Sequence, residues 1–135
     1  MKETAFFWFR RDLRLKDNSG LFHALSSGLA VIPVFIFDTN ILENLPRDDA
    51  RVTFIHSVLT RLKTFLESKG STILVMHGDP LTVWKELIAK HKPRAIFTNH
   101  DYESYAIERD QKISEICKSS GVDFKTTKDQ CIFEK

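Results

Sequence analysis

Two short stretches gather most of the groups able to do chemistry. In "FRRDLRLKDN", residues 9–18, Arg10, Arg11, Asp12, Arg14, Lys16 and Asp17 crowd behind an apolar run that ends at Phe9. In "NHDYESY", residues 99–105, Asp101 and Glu103 sit among His100, Tyr102 and Tyr105. A carboxylate at Asp101 or Glu103 can accept a hydrogen bond from a ring N–H or a hydroxyl of a bound molecule, or it can pair with Arg109. Arg10, Arg11, Asp12 and Arg14 can form a mutual ion-pair network or lie on a solvated loop. Exposed ion pairs contribute only ~0–1 kcal/mol each, so stability alone is a poor reason for so many. The chemistry is that of binding. The sequence has no nucleophile–base pair, no glycine-rich phosphate loop and no paired-carboxylate motif, and "HGDP" at 77–80 is too short to cradle a phosphate.

The elements that must position these groups alternate between strand and helix. "TAFFWF", 4–9, reads as a strand covered on both faces. "NSGLFHALSSG", 18–28, reads as a helix capped by Asp17 or Asn18 and ended by Gly28. "LAVIPVFIF", 29–37, is a second strand despite Pro33, which cannot donate to a ladder. After a loop at 38–49, residues 50–70 carry Ile55, Leu59, Leu62 and Leu66 at helical spacing, widened by Phe54, Val58 and Phe65, and stop at Gly70. A strand at 71–77 leads through Asp79 and Pro80 into a helix with Val83, Trp84, Leu87 and Ile88 on one face. A strand at 94–99, a helix at 104–121 and a polar, edge-type strand at 122–128 complete the series. This alternation predicts a doubly wound α/β fold, Rossmann-like, with a five-stranded parallel sheet ordered 3-2-1-4-5 and helices on both faces. Ligands of such sheets bind beyond the carboxyl ends of the strands, where the strand order reverses. Here that is between the first and fourth strands, where the two charged stretches begin.

Composition narrows the class. The 135 residues suffice for one domain with its own core; 42% are hydrophobic and 28% charged, a globular balance. A net charge of +2 is too small for a general electrostatic hold on nucleic acid. Cys117 and Cys131 provide neither a disulfide framework nor a metal spacing, and Cys117 reads as a buried thiol. The five histidines are scattered, so no helix-borne metal site is expected. The cysteine usage is consistent with a reducing, cytoplasmic setting, and no secretory signal and no membrane-length apolar run is evident. Trp8 and Trp84 read as core residues, and "ILENLPRDD", 41–49, as a surface loop or a lid over the cleft.

Four segments, in order and correctly spaced, resemble the photolyase/cryptochrome family. "FWFRRDLRLKDN" resembles its N-terminal W-F-R-x-D-L-R and D-N signature. "ARVTFIHSVLTRL" resembles its first long helix, and "HGDP" its turn after the third strand. "NHDYESYAIERD" resembles its N-x-x-Y-E-x-x-x-x-x-R-D segment. The resemblance spans essentially the whole chain.

The resemblance implies the antenna-binding N-terminal α/β domain of a deoxyribodipyrimidine photolyase over residues 1–128, with 129–135 starting the linker to an FAD-binding helical domain. The parent would split UV-induced pyrimidine dimers in DNA by light-driven electron transfer from reduced FAD, its helical domain would dock the damaged DNA, and the fragment would be inactive alone. Carried over residue by residue, Arg10 and Arg11 line the antenna cleft or the domain interface, while Asp12 and Arg14 brace the loop. Asp38 and Arg51 flank the antenna; helix capping and a solvated face are their alternatives. Asp101 leans toward a ligand role, and Glu103 divides evenly between ligand and Arg109. Ala106 stands where folate-binding relatives have a glutamate, and Tyr105 replaces the neighbouring asparagine. Alanine cannot hydrogen-bond a pterin, so a deazaflavin or flavin-like antenna is favoured over folate; the absence of any antenna is also compatible. An apolar patch near the crevice is expected where the helical domain would pack. Two rival readings are a cryptochrome photoreceptor of the same fold and a free-standing nucleotide-binding module of the universal-stress type. The latter would need a glycine-rich loop that "NHDYESYAIERD" lacks.

Overall fold

A computed structural model describes residues 3–10, 18–39, 50–100 and 104–127; at 19, 50–52 and 104 the description is of backbone alone. The elements are β1 (Thr4–Phe9), α1 (Ser19–Leu25), β2 (Ala30–Asp38), α2 (Ala50–Ser68), β3 (Leu74–Gly78), α3 (Pro80–His91), β4 (Ala95–Asn99), α4 (Ser104–Ser120) and β5 (Asp123–Thr127). All strands are parallel and their order is β3-β2-β1-β4-β5, as expected.

The period of two along each strand divides the apolar residues between two cores. Phe7 and Phe9 of β1 and Phe35 and Phe37 of β2 pack under α1 and α2 with Leu21, Leu59, Leu62 and Leu66. Phe6 and Trp8 of β1 and Val34 and Ile36 of β2 pack under α3 and α4 with Trp84, Leu87, Ile113 and Cys117. β1 is therefore buried on both faces, which is why it reads as an unbroken apolar run.

Pro33 pairs with Phe7 of β1. β3 begins to pair with β2 only one residue later, at Val34 with Leu74. At Pro33 the strand is thus still an edge, and a missing donor is tolerated there. The first helix is shorter than its sequence suggests. It begins at Ser19, with the Asn18 side chain accepting from the Leu21 N–H at 3.1 Å. It ends at Leu25, because the Ser27 hydroxyl and N–H both turn back onto the Ala24 carbonyl before Gly28 is reached. α3 is capped as expected by Asp79, whose carboxylate accepts from the Thr82 N–H at 3.3 Å.

Gly20 permits a close approach of α1 to the sheet. Its N–H donates to the Asn99 side-chain oxygen at 2.7 Å, and a Cβ at this position would lie 2.6 Å from that oxygen and 3.0 Å from the Phe7 ring. The Asn99 amide in turn donates to the Asn18 oxygen at 2.7 Å. This buried chain of bonds ties the start of α1 to the end of β4 across the point where the strand order reverses.

Candidate antenna site at the carboxyl ends of the strands

The strand periodicity that builds the α3/α4 core also builds the site. On β1 the face carrying Phe6 and Trp8 continues to Arg10; on β2 the face carrying Val34 and Ile36 continues to Asp38. The inward stripe of α4 runs from Cys117 through Ile113 to Arg109 and Ala106, all buried. Where the sheet reaches its carboxyl edge, both packed surfaces change from apolar to charged.

The charged groups meet there. Both terminal nitrogens of Arg10 donate to the Asp110 carboxylate, at 2.8 and 3.0 Å, a bidentate pair with side chains 7% and 13% exposed. Arg109 donates from Nε to Asp110 Oδ1 and from Nη1 to Asp38 Oδ2, each at 3.4 Å. The Tyr105 hydroxyl donates to the same Asp38 oxygen at 2.8 Å. The guanidinium carbons of Arg10 and Arg109 lie 4.3 and 4.8 Å from the centre of the Trp8 ring, and that of Arg109 lies 5.6 Å from Tyr105. Two cations and two carboxylates therefore balance over a buried indole whose quadrupole favours positive charge on its face. Arg109 Nη2 is buried and has no hydrogen-bond acceptor among the described residues.

Of the residues singled out from sequence, Arg10 and Asp38 come together in this cluster. Ala106 lies beside it on the α4 stripe, its methyl buried. Arg11, Asp101 and Glu103, together with Asp12, Arg14, the 41–49 segment and residues 128–135, lie outside the described residues; of Arg51 only its helical backbone is described. Of the ion pairing considered for the arginine-rich segment, the pair at Arg10 reaches across the fold to α4. Trp8 is a core residue, edge-on to Trp84 with ring centres 5.5 Å apart, and it also floors the arginine cluster.

Sequence reasoning gave Asp110 no role and saw Arg109 only as a possible partner for a carboxylate. The available signal was Arg109 itself, a charge at the i−4 position before Ile113 on an otherwise apolar stripe. The two segments 11–17 and 101–103 leave from adjacent strands, since Trp8 pairs with Thr98, so both begin at the same edge of the sheet. Near this edge Tyr105 and Ile107 are partly exposed, two positions apart on α4 and so on different sides of the helix; Phe22, Leu25, Phe54 and Phe65 are exposed on α1 and α2. On the opposite face of the sheet, His56 and His77 both stack on Phe37, with ring centres 4.7 and 4.6 Å away. Among the described residues there is no group of three metal-binding side chains, and no helix is long and apolar enough to cross a membrane.

The sequence matches the DNA photolyase family over residues 5–135. It is 33% identical to a deoxyribodipyrimidine photo-lyase of Synechococcus sp. over a stretch covering 90% of this chain and 25% of that protein. It is 32% identical to cryptochrome-1 of Drosophila melanogaster, covering 87% of this chain and 23% of that one. Its fold superposes on the archaeal photolyase of Sulfolobus tokodaii, solved with two FAD molecules and discussed as implying a novel light-harvesting cofactor. The TM-score is 0.85 at 40% identity, over 93% of this chain and 29% of that one. The chain spans about a quarter of the length of these relatives. With the sheet order, the charged edge and the family match in agreement, this chain belongs to the DNA photolyase family.

Proposed function

We propose that the chain is the antenna-binding α/β domain of a deoxyribodipyrimidine photolyase, with the domain at 1–128 and the start of a linker at 129–135. The parent repairs UV-induced pyrimidine dimers in DNA by light-driven electron transfer from reduced FAD held by a helical domain. That domain, and through it damaged DNA, are the partners of this chain, which is inactive alone. The observation that carries the reading is the ion-paired Arg10–Asp110–Arg109–Asp38 cluster, joined by the half-exposed Tyr105, at the carboxyl edge of β1 and β2, the edge where doubly wound sheets bind ligands.

The residues present fit a flavin-like antenna better than a folate. Ala106 offers a methyl where a folate-binding relative has a carboxylate, Tyr105 exposes part of its ring beside it, and Arg109 holds a buried donor with no acceptor among the described residues. The relative solved with two FAD molecules points the same way. When bound, such an antenna supplies light absorption and passes excitation to the catalytic flavin. The part of this chain is to bind and orient it. Arg10 and Asp110 lock the end of β1 to α4, Asp38 and Asp110 brace Arg109, and Trp8 supports both guanidinium groups from below. Arg11, Arg51, Asp101 and Glu103 complete the binding set.

The test is blue-light repair of an oligonucleotide carrying one pyrimidine dimer by the full-length parent. Dimer splitting is expected, with a rate below saturating light that rises when a flavin-type antenna is bound. Absence of repair by a parent that holds its FAD would replace the photolyase reading with that of a cryptochrome. Tight binding of a folate in preference to flavins would overturn the antenna assignment.

A further inference from the structure

We infer that the outer face of α1 and α2 is a docking surface for an acidic, amphipathic segment of a separate partner protein. The inference is independent of the antenna reading. Exposed apolar side chains are unevenly shared between the two helical layers. Phe22 and Leu25 of α1 and Phe54 and Phe65 of α2 are 67, 63, 65 and 48% exposed, whereas the α3/α4 layer leaves only Tyr105 and Ile107 exposed among the described residues. A large apolar side chain offers about 150–250 Å², so these four leave on the order of 400 Å² in contact with water. On a soluble domain a patch of that size is often an interaction site.

Helical arithmetic makes the patch one surface. α1 and α2 follow adjacent strands of the parallel sheet, run antiparallel to them and pack on the same core. Right-handed crossovers set α2 beside α1, on the side toward β3. On α1, Phe22 and Leu25 each come one position after the inward Leu21 and Ala24. On α2, Phe54, Val58 and Phe65 each come one position before the inward Ile55, Leu59 and Leu66. One step forward and one step back turn side chains about 100° to opposite flanks. With this handedness those are the flanks of the two helices that face each other, so the apolar side chains border one open trough. Phe54 to Phe65 covers three turns, about 16 Å.

Charge selects the occupant. Arg61 lies two turns after Phe54 on the same flank of α2, and Lys69 Nζ lies 5.7 Å from the centre of the Phe65 ring. Both side chains are exposed, and neither is ion-paired among the described residues. Glu67, the one carboxylate of α2, comes a position after the inward Leu66 and so turns to the other flank. A second copy of this chain would set basic groups against basic groups. The two patches together would bury about 800 Å², short of the roughly 1,200 Å² of a stable interface. An amphipathic helix with apolar anchors at i, i+4 and i+7 and carboxylates beside them fills the trough and meets both cations.

The experiment titrates the 135-residue chain with a labelled synthetic helix of about 15 residues, long enough to span the trough. It carries leucines at helical spacing and glutamates on both sides of them; a second peptide has lysines for the glutamates. Fluorescence anisotropy should give a Kd of about 1–100 μM for the glutamate peptide and no binding of the lysine peptide. Phe54→Ser with Phe65→Ser should weaken the glutamate peptide by at least about tenfold, as for loss of two anchors. Arg61→Glu should weaken it by roughly threefold to tenfold and reduce its salt dependence. Ile107→Ser, on the other layer, should leave it unchanged. All four side chains are exposed, so unmoved urea midpoints should confirm folding. Equal binding of the two peptides, binding of neither, or wild-type affinity in the phenylalanine variant would overturn the inference. Dimerisation of the chain alone, abolished by Phe54→Ser with Phe65→Ser, would overturn it in favour of a second copy. Tighter binding to phosphatidylserine vesicles than to the glutamate peptide would overturn it in favour of a lipid surface. Binding by the 135-residue chain but not by the full-length parent would show that the parent itself covers this face and would overturn the separate partner.

Discussion

Replacing Asp110 by asparagine tests whether the arginine cluster is a true buried ion-pair network. Asp110 accepts both terminal nitrogens of Arg10 at 2.8 and 3.0 Å and Nε of Arg109 at 3.4 Å. Asparagine keeps the shape, removes the charge, and turns an amide N–H₂ toward a guanidinium that can only donate. Arg10 then faces an amide in place of a carboxylate, while Arg109 keeps its contact with Asp38. Removing one member of a buried pair costs about 3–5 kcal/mol, because the remaining charge is stranded. Asp110 is 13% exposed, so the lower half of that range, about 3–4 kcal/mol, is expected. With a urea slope of about 2 kcal/mol per molar, the midpoint should fall by roughly 1.5–2 M. The loss should persist at high salt, since buried charges are poorly screened. The double replacement Arg10→Met with Asp110→Leu removes both charges, so its cost should be less than the sum of the single costs by about 2–3 kcal/mol. A cost below about 1 kcal/mol for Asp110→Asn, or strict additivity in the cycle, would refute the claim that these charges are coupled and buried.

Three other outcomes follow from the same geometry. Gly20→Ala should gain about 1 kcal/mol of helix propensity but lose more, because the new methyl collides with the Asn99 oxygen and the Phe7 ring and disturbs the 2.7 Å bond from the Gly20 N–H to Asn99. A net destabilisation of about 1–3 kcal/mol by denaturant titration is expected, and a stabilised variant would contradict it. Tyr105→Phe removes the 2.8 Å bond to Asp38 and should cost about 1 kcal/mol, since the half-exposed ring lets water replace the phenol; a neutral result would mean that Asp38 does not depend on Tyr105. Burial pushes the Cys117 thiol from 9.0 up to about 11. The unfolded thiol loses its proton first, so stability contributed by Cys117 is complete below pH 9 and is lost as pH rises toward 11, by up to about 2–3 kcal/mol. Relative to Cys117→Ala, the wild type should lose stability more steeply across that interval; parallel profiles would show that the thiol is solvated.

Much of the scaffold could be read from local pattern. β1 and β4 are unbroken apolar runs because both faces of each are covered, and that continuity is visible without a fold. α3 announces itself through Asp79, Pro80 and its apolar face, since capping and helical spacing are local rules. The early end of α1 was not visible, because it depends on the serine hydroxyl of Ser27 choosing the Ala24 carbonyl over water. Nor was the tolerance of Pro33, which follows from where β3 starts to pair.

The sequence alone determined the alternation of elements, the sheet order that right-handed crossovers permit, and the edge at which two charged segments must emerge. Those follow from periodicities of two and 3.6 and from chain chirality, which act over a few residues. Only the tertiary structure decided the partners. Arg10 pairs with Asp110 on a helix formed a hundred positions later, Arg109 is braced by Asp38 of one strand and by its own neighbour, and Tyr105 reaches back to that same Asp38. Ion pairs and hydrogen bonds depend on distances of a few ångströms in space, and nothing in the spacing of residues along the chain encodes which buried charges will meet.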